Sequence, residues 1–239
     1  MVKLSKRLSC IASLVEQGSV VSDVGCDHGL LSLFLLEKGI SEHAYMMDIK
    51  KAPLMRAAEN AAFHALSRKA DFILSDGLKE LPGFIENSDK GCAYPDTVII
   101  SGMGGALILE IIKNAPAIVK EKLRHWILSP QSEIYDFRKG LIGAGFLTED
   151  ERIVFDQGKY YFVIKAAQSA ERVPEEADEA NLFYGKHNLL RKDPVLKELI
   201  NLDITKRERL LENEDLPKSR KEELLKELTV MKDAYAMIS

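Results

Sequence analysis

The sequence predicts an α/β domain with a mostly parallel sheet and an antiparallel last strand, followed by a C-terminal helical hairpin. Between residues 20 and 130, short β-branched or apolar runs alternate with longer helical stretches, which is the pattern of βαβ units. Residues 146–156 and 159–168 are two further strand-like runs joined by Asp-Gln-Gly, which indicates an antiparallel hairpin. Beyond residue 180, apolar residues recur at helical spacing.

The predicted strands of the parallel part cover residues 20–24, 44–49, 70–76, 96–103 and 126–130. Each is separated from the next by a stretch long enough for a crossover helix, so we expect helices on both faces of the sheet. Open α/β sheets bind ligands at the carboxyl ends of their strands. The residues that end these runs are therefore the candidates for function.

The C-terminal part begins with a polar, Pro-containing linker. Two apolar stripes at helical spacing follow it: Leu189, Leu196, Ile200, Ile204 and Leu211, then Leu224, Leu228, Met231 and Tyr235. They predict an antiparallel helical hairpin of coiled-coil type, broken at Pro217, with Ser219 and Glu222 as a capping box for the second helix. We therefore divide the chain into a domain of residues 1–168 and a linker with a helical domain, residues 169–239.

The composition of the 239 residues, 46% hydrophobic and 29% charged, is ordinary for a globular protein. No apolar run approaches the roughly 18–20 residues that span a membrane, and the N-terminal segment lacks the pattern of a cleaved signal peptide. We therefore expect a cytoplasmic protein without a membrane partner.

Cysteine spacing argues against disulfide and metal sites, and net charge argues against an overall affinity for nucleic acids. Cys10, Cys26 and Cys92 are far apart and form no Cys-x-x-Cys pair, so we expect neither a disulfide framework nor a metal site. The net charge of −4 gives no overall affinity for polyanions. Contact with a nucleic acid would have to use local basic clusters, such as the one formed by Lys3, Lys6 and Arg7.

The turn after the first predicted strand, SDVGCDHGLL at residues 22–31, carries the first chemical signal. A dinucleotide site requires Gly-x-Gly-x-x-Gly, but here Asp27 lies between Gly25 and Gly29 and would repel a pyrophosphate. The same carboxylate suits a cationic cofactor, and S-adenosylmethionine carries both a sulfonium and an α-ammonium group. Asp23 can accept from that ammonium, while the two glycines let the backbone approach the methionine arm. We therefore favour S-adenosylmethionine over NAD.

Two more carboxylates end the next two strands. Asp48 is placed to bind both ribose hydroxyls of an adenosine, and Asp76 to bind the adenine amino group. Each acid alone is more often a cap or a surface residue, but three at successive strand ends favour a cofactor site. The expected cofactor contacts also include four neighbours of these acids: Cys26, His28, Ile49 and Gly77.

The fourth strand ends in Ser-Gly-Met-Gly-Gly, at residues 101–105. Many amino-group methyltransferases have Asn/Asp-Pro-Pro-Tyr/Phe at this place, where it holds a flipped base. Its absence argues against an exocyclic amine held in that way. We assign Gly102 and Met103 to the cofactor and Gly104 and Gly105 to the substrate, the alternative being a plain glycine-rich turn.

Together these stretches resemble the bacterial tRNA (adenine-N1)-methyltransferases that act on the adenine at tRNA position 22. The resemblance covers about residues 4–168 and depends on the Asp-x-Gly-x-Asp-His turn combined with Gly-Met-Gly-Gly. It implies a Rossmann-like class I methyltransferase domain with a C-terminal coiled coil, S-adenosyl-L-methionine as cofactor and tRNA as partner. Residues 129–131 are Ser-Pro-Gln where other members often have Gln-Pro-Asn, and Gln131 still offers an amide to adenine.

The resemblance also suggests roles in catalysis. Adenine N1 has an in-plane lone pair, so the enzyme must extract the base, align it and stabilise the charge that forms on the purine. Asp27 is the candidate for the last task, with capping of the following helix as its alternative. Arg7 is assigned to RNA phosphate or the target nucleotide, with a plain surface charge as its alternative. Tyr160 and Tyr161 could stack on a base but are more simply sheet core.

Two other functions stay open at this point. One is a class I methyltransferase acting on another RNA or on a small molecule. The other is a binding module that keeps the fold without turnover.

Overall fold

The structure is a computed structural model that describes residues 2–88, 93–169, 178–213 and 215–239. Cys92 and most of the predicted linker, residues 170–177, lie outside the described residues.

A seven-stranded sheet organises the first 168 residues. Its strands are β1 (Ser19–Val24), β2 (Ser41–Asp48), β3 (Ala70–Leu74), β4 (Thr97–Ser101), β5 (His125–Ser129), β6 (Phe146–Asp156) and β7 (Lys159–Gln168). They lie in the order β3-β2-β1-β4-β5-β7-β6, and β7 is antiparallel to both of its neighbours while the other pairs are parallel. The predicted Rossmann-like sheet is confirmed, and its strand order reverses between β1 and β4.

The third and fourth strands end two residues earlier than the sequence predicts. The third stops at Leu74 because the Ser75 hydroxyl donates to the Gly77 carbonyl at 2.8 Å, which turns the chain. The fourth stops at Ser101 because Gly102 has a φ of +81°, which no strand residue adopts. Both differences place functional candidates in turns at the edge of the sheet, where they are free to face a ligand.

Helices cover both faces of the sheet. They are α1 (Lys6–Ala12), α2 (Leu30–Glu37), α3 (Lys51–Phe63), α4 (Leu81–Glu86), α5 (Gly105–Asn114), α6 (Ala117–Lys122) and α7 (Ile134–Gly143). The first three pack with Val21 and Ile99 on one face, and the other four pack with Tyr45 and Trp126 on the opposite face. None of the helices in the described ranges combines the length and apolar character that a bilayer span requires.

Four C-terminal helices follow: α8 (Glu179–Tyr184), α9 (Lys186–Leu190), α10 (Pro194–Leu211) and α11 (Lys218–Ile238). The last two form the predicted helix pair, and Ile200 and Met231 pack with Ile153 and Phe162 of the β6–β7 hairpin. The helical part thus rests on the edge of the sheet, and the division at residue 168 stays a prediction.

Two details of the helical prediction are wrong. Leu189 belongs to the separate helix α9, because the Asp193 side chain accepts from the Val195 N–H at 2.8 Å and starts α10 there. The capping box at Ser219 does not form, because α11 begins at Lys218, two residues earlier than that motif requires. The Pro217 carbonyl accepts the Lys221 N–H at 2.9 Å, so Ser219 already lies inside the first turn.

A buried arginine fastens the helical part to the sheet. The Arg138 guanidinium, on α7, pairs with the Glu151 carboxylate of β6 and stacks on the Phe162 ring at 4.5 Å. It also donates to the carbonyls of Leu182 and Phe183, at 2.8 and 2.9 Å. One side chain therefore joins α7, β6, β7 and α8, and its removal would leave a buried carboxylate without its cation.

Candidate active site

A cavity of about 420 Å³ opens at the carboxyl ends of the central strands. Ten of the predicted site residues line it: Arg7, Asp23, Gly25, Cys26, Asp27, His28, Asp48, Gly102, Met103 and Gln131. They come from α1, from the carboxyl ends of β1 and β2, and from the turns after β1, β4 and β5. The strand order reverses at β1 and β4, which is where open α/β sheets bind their ligands.

The turn after β1 is held rigidly as the floor of this cavity. The N–H groups of Gly25 and Cys26 both donate to the Met47 carbonyl of β2, at 2.8 and 3.0 Å. Gly25 has a φ of +74°, and a Cβ there would overlap the Cε of Met103. Gly25 thus carries no side chain of its own, and its neighbour at this point is the flexible end of Met103, which lines the same cavity.

Gly29 has a different role from the one predicted for it. It is buried as the N-cap of α2, outside the lining of the cavity. A Cβ at this position would lie 2.8 Å from the Met46 sulfur and 3.1 Å from the Ala57 Cβ. In the structure, this glycine is required for packing between α2, β2 and α3.

Asp23 presents a buried carboxyl group to the cavity. Its Oδ2 accepts a hydrogen bond from the Ser32 hydroxyl at 2.7 Å. Burial raises the pKa of Asp23 from 3.8 to about 6, the Ser32 bond opposes that rise, and the nearby Asp48 carboxylate adds to it. A buried anion with a single hydroxyl partner is poorly compensated. A cationic group in the cavity would supply that compensation, so the site fits an ammonium ligand such as the one in S-adenosylmethionine.

Asp27 lies at the mouth of the cavity with its side chain 73% exposed. Its φ of +50° is a left-handed conformation that Asp tolerates better than most residues. Its Oδ1 is 3.5 Å from the Nε2 of His28, and in the described part of the chain it accepts no hydrogen bond from a helix N–H. The capping alternative is therefore wrong, because α2 begins at Leu30 with Gly29 as its N-cap.

The expected adenosine contacts divide between two hollows. Asp48 lines the main cavity, and its Oδ1 accepts from the Lys50 N–H at 2.8 Å. Ile49 and Asp76 line a second, more open hollow of about 580 Å³ next to it. Asp76 is exposed and ion-paired with Lys79, so an adenine amino group would have to share its carboxylate.

Gly77 lies outside the linings of both of these hollows. It is buried, and a Cβ there would lie 3.1 Å from the Ile111 side chain. The structure therefore accounts for this glycine through packing against α5.

Three predicted residues meet at the end of β4. A Cβ at Gly102 would lie 3.8 Å from the Gln131 side-chain nitrogen and 3.9 Å from the Arg7 Nη1. The Gln131 N–H donates to the Met103 carbonyl at 2.9 Å, which ties the turn after β5 to the turn after β4. A guanidinium and an amide therefore face the same space beside a glycine that leaves room for a planar ligand.

Gly104 and Gly105 are not brought to the lining of the cavity. Gly105 is buried, its N–H donates to the Ser132 carbonyl at 3.3 Å, and a Cβ there would lie 2.9 Å from the Phe137 Cβ. A Cβ at Gly104 would lie 3.1 Å from the Ser132 hydroxyl. The two glycines let α5 approach the turn before α7, and the structure gives them no contact with a substrate space.

Sequence reasoning missed several residues at this site. Leu8, Leu30, Leu31 and Ser101 also line the cavity. Ser32 was missed too. It is a polar residue in the apolar helix LLSLFLLE, and such a residue could have indicated a buried polar partner. The described residues contain no group of three or more His, Cys, Asp or Glu side chains placed to hold a metal ion.

Comparisons with known proteins agree with this geometry. The family model described as a methyltransferase domain matches residues 4–164. A Mycoplasma pneumoniae protein provisionally named a tRNA methyltransferase is 30% identical over 198 residues, which cover 81% of this chain and 86% of that protein. The Bacillus subtilis tRNA (adenine(22)-N(1))-methyltransferase is 30% identical over 165 residues, which cover 69% of this chain and 65% of the enzyme.

A solved structure shows the same architecture along the whole chain. The Mycoplasma capricolum TrmK protein, in complex with S-adenosyl-homocysteine, superimposes with a TM-score of 0.83 at 23% identity and covers 99% of both chains. The resemblance inferred from the motifs is confirmed. The chain belongs to the methyltransferase family and, within it, to the group of tRNA methyltransferases that includes the adenine-22-N1 enzyme.

Proposed function

We propose that this protein is an S-adenosyl-L-methionine-dependent methyltransferase that methylates N1 of the adenine at position 22 of tRNA, in the D-loop region. One observation carries the proposal: a single cavity joins buried and partly buried carboxylates suited to a cationic cofactor with a guanidinium and an amide suited to a nucleotide. The named substrate of the Bacillus subtilis relative supports the choice of tRNA and of position 22. The cytoplasm, where tRNA is modified, is the corresponding location.

Three carboxylates hold the cofactor in this proposal. Asp23 binds the ammonium group, Asp48 binds the ribose hydroxyls with the oxygen that does not accept from Lys50, and Asp76 faces the adenine end beside Ile49. S-adenosylmethionine supplies an electrophilic methyl group on its sulfonium. The bare backbone at Gly25 lets the methionine arm lie close to the floor of the cavity.

The substrate side needs positioning and charge stabilisation more than a base. Adenine N1 is nucleophilic through its own lone pair, and alkylation leaves a positive charge on the purine. Asp27 stabilises that charge from the mouth of the cavity, where its carboxylate is not used by a helix N–H. The Gln131 amide can both donate and accept, which matches the N6 and N7 positions of adenine.

Arg7 and the helical part serve RNA binding in this proposal. Arg7 lies beside Gly102 and Gln131, where its guanidinium can bind a phosphate or the target nucleotide. The helices of residues 179–238 extend the molecule beyond the cavity and are rigidly joined to the sheet through Arg138. They offer a second surface for a substrate as large as tRNA.

The proposal is tested by methyl transfer to unmodified tRNA transcripts that carry adenine or guanine at position 22. We expect labelled N1-methyladenosine only from the adenine transcript, identified by mass spectrometry after nuclease digestion. Equal labelling of both transcripts would refute the assignment of the site. Calorimetry with S-adenosylmethionine separates the alternatives: binding without transfer would indicate a binding module, and no binding at millimolar concentration would exclude every methyltransferase function.

A further inference from the structure

Arg7 is held at the cavity by an aromatic ring and not by an acid. Its guanidinium carbon lies 5.2 Å from the centre of the Tyr161 ring of β7, within the range of a cation–π contact. Its Nη1 is buried, and among the described residues it has no hydrogen-bond partner. A buried guanidinium N–H is costly to leave unpaired, so its orientation points to a ligand that is bound at this place.

An acid of the hairpin binds the backbone N–H of Arg7. The Asp156 carboxylate, at the tip of the β6–β7 hairpin, accepts the Arg7 N–H at 3.0 Å. That bond, followed by one from the Ser5 hydroxyl, lowers the pKa of Asp156. The main chain of Arg7 is thereby fixed at one end of the hairpin, while its side chain is free to lie on Tyr161.

The alternation of β7 selects which tyrosine meets Arg7. Tyr161 shares a face with Val163, whose side chain packs in the cluster under α1. Tyr160 points to the opposite face, where it stacks on Phe155 at 4.7 Å and joins the cluster of the C-terminal helices. The two neighbours are chemically identical, so Tyr160 is a matched control for Tyr161.

We propose that Tyr161 is a positioning residue for methyl transfer, which holds the Arg7 guanidinium over the cavity with its N–H groups free for the target nucleotide. An aromatic face attracts a cation without using its in-plane donors, whereas a carboxylate would engage them. Asp27 lines the same cavity, so an Arg7 side chain without its aromatic support could turn towards that acid. The inference rests on the proposed function, because it names the support of a substrate-binding residue.

A double-mutant cycle tests the inference with the full chain, S-adenosylmethionine and the adenine-22 transcript. Tyr161→Leu should lower kcat/KM for tRNA about tenfold, the order expected for a partly desolvated cation–π contact, and leave cofactor affinity unchanged. In an Arg7→Ala background the same change should lower kcat/KM no more than about twofold, because the supported group is gone. Tyr160→Leu should have the same effect in both backgrounds.

A second measurement removes any ambiguity from folding. Tyr161→Phe keeps the aromatic face and should stay within about threefold of the unsubstituted chain. Pentafluorophenylalanine at the same position has nearly the same shape but a reversed ring quadrupole, and should lower kcat/KM to the level of Tyr161→Leu. Equal losses from Tyr161→Leu with and without Arg7, or no effect of fluorination, would overturn the role of Tyr161. Absence of transfer by the unsubstituted chain would refute the proposed function itself.

Discussion

Replacing Asp23 with asparagine should make the protein without cofactor more stable and impair its binding of S-adenosylmethionine. The carboxyl group is buried and its only described hydrogen-bond donor is the Ser32 hydroxyl, at 2.7 Å. Asparagine has the same shape, and its amide oxygen can still accept from Ser32. The Asp23→Asn variant therefore removes the negative charge with little change in packing.

The magnitude follows from the pKa of Asp23, which burial raises from 3.8 to about 6. Each pH unit of that difference corresponds to about 1.4 kcal/mol, so ionised Asp23 destabilises the folded state by about 3 kcal/mol. The folded state binds the extra proton between pH 4 and 6, so the contribution of Asp23 to stability is present at low pH and is lost as the pH rises through 6. At pH 7.5 we expect Asp23→Asn to exceed the unsubstituted chain by about 1–3 kcal/mol in free energy of unfolding.

Urea denaturation of both proteins at pH 7.5 and pH 5 measures this difference. The advantage of the variant should shrink by about 1.4 kcal/mol at pH 5, because Asp23 is then largely protonated. Comparing the two proteins at each pH cancels the titration of all other groups. An advantage that does not change with pH, or a variant less stable at pH 7.5, would refute the reasoning.

Cofactor binding should show the opposite pH dependence. A cationic ligand requires the ionised carboxylate, so calorimetry should find the affinity of the unsubstituted chain for S-adenosylmethionine about tenfold weaker at pH 5 than at pH 7.5. Asp23→Asn should bind about 10–100-fold more weakly at pH 7.5, the range for a lost charge-assisted hydrogen bond, and its affinity should not change with pH. A pH-dependent affinity in the variant would assign the titration to another group.

Three further predictions follow from the site and its support. Asp27→Asn keeps a residue that tolerates the left-handed conformation, and it should lower kcat at least tenfold with little change in cofactor Kd. Asp48→Ala should mainly raise that Kd. Methyl-transfer assays measure kcat and calorimetry measures Kd, and the reverse pattern would contradict these roles. Gly25→Ala should weaken cofactor binding and lower the free energy of unfolding by about 1–2 kcal/mol, because its φ is +74° and its Cβ would overlap Met103; an unchanged denaturation midpoint would contradict this. Arg138→Ala should lower the free energy of unfolding, measured by urea denaturation, by about 3–5 kcal/mol. A loss below about 1 kcal/mol would show that the buried pair with Glu151 does not stabilise the contact between the helices and the sheet.

The sheet could be predicted because its evidence is local. Alternating apolar runs and helical stretches specify the order of elements, and the Asp-Gln-Gly turn specifies the last hairpin. The ends of the third and fourth strands were overestimated because a hydroxyl at Ser75 and a positive φ at Gly102 turn the chain. Each turn depends on a single residue, whereas a periodic pattern is judged over several residues and does not detect it.

Some residues of the candidate site could be predicted from the sequence near them, whereas others depend on contacts between distant parts of the chain. Asp23, Asp27 and Asp48 were found because the ends of parallel strands meet at one edge, whatever the details of packing. The role of Ser32 and the stack of Arg7 on Tyr161 depend on side-chain directions across separate elements, which spacing does not encode.

The sequence also overestimates how many glycines belong to the site. A sequence pattern does not distinguish a glycine that a ligand needs from one that a neighbouring helix needs. The structure separates them: Gly25 and the Met103 side chain next to it both line the cavity, whereas Gly29 and Gly105 lie outside its lining and pack against neighbouring elements.

The hydrogen bond between the Arg7 N–H and Asp156 spans 149 positions of the chain. Asp23, Gly25 and Asp48 all lie in the first fifty residues, so this part of the cavity lining is made early. Arg7 also lines the cavity, but the residues that hold it there, Asp156 and Tyr161, come more than a hundred positions later. During synthesis on the ribosome, the two residues that hold Arg7 at the cavity are therefore made last, after all five parallel strands.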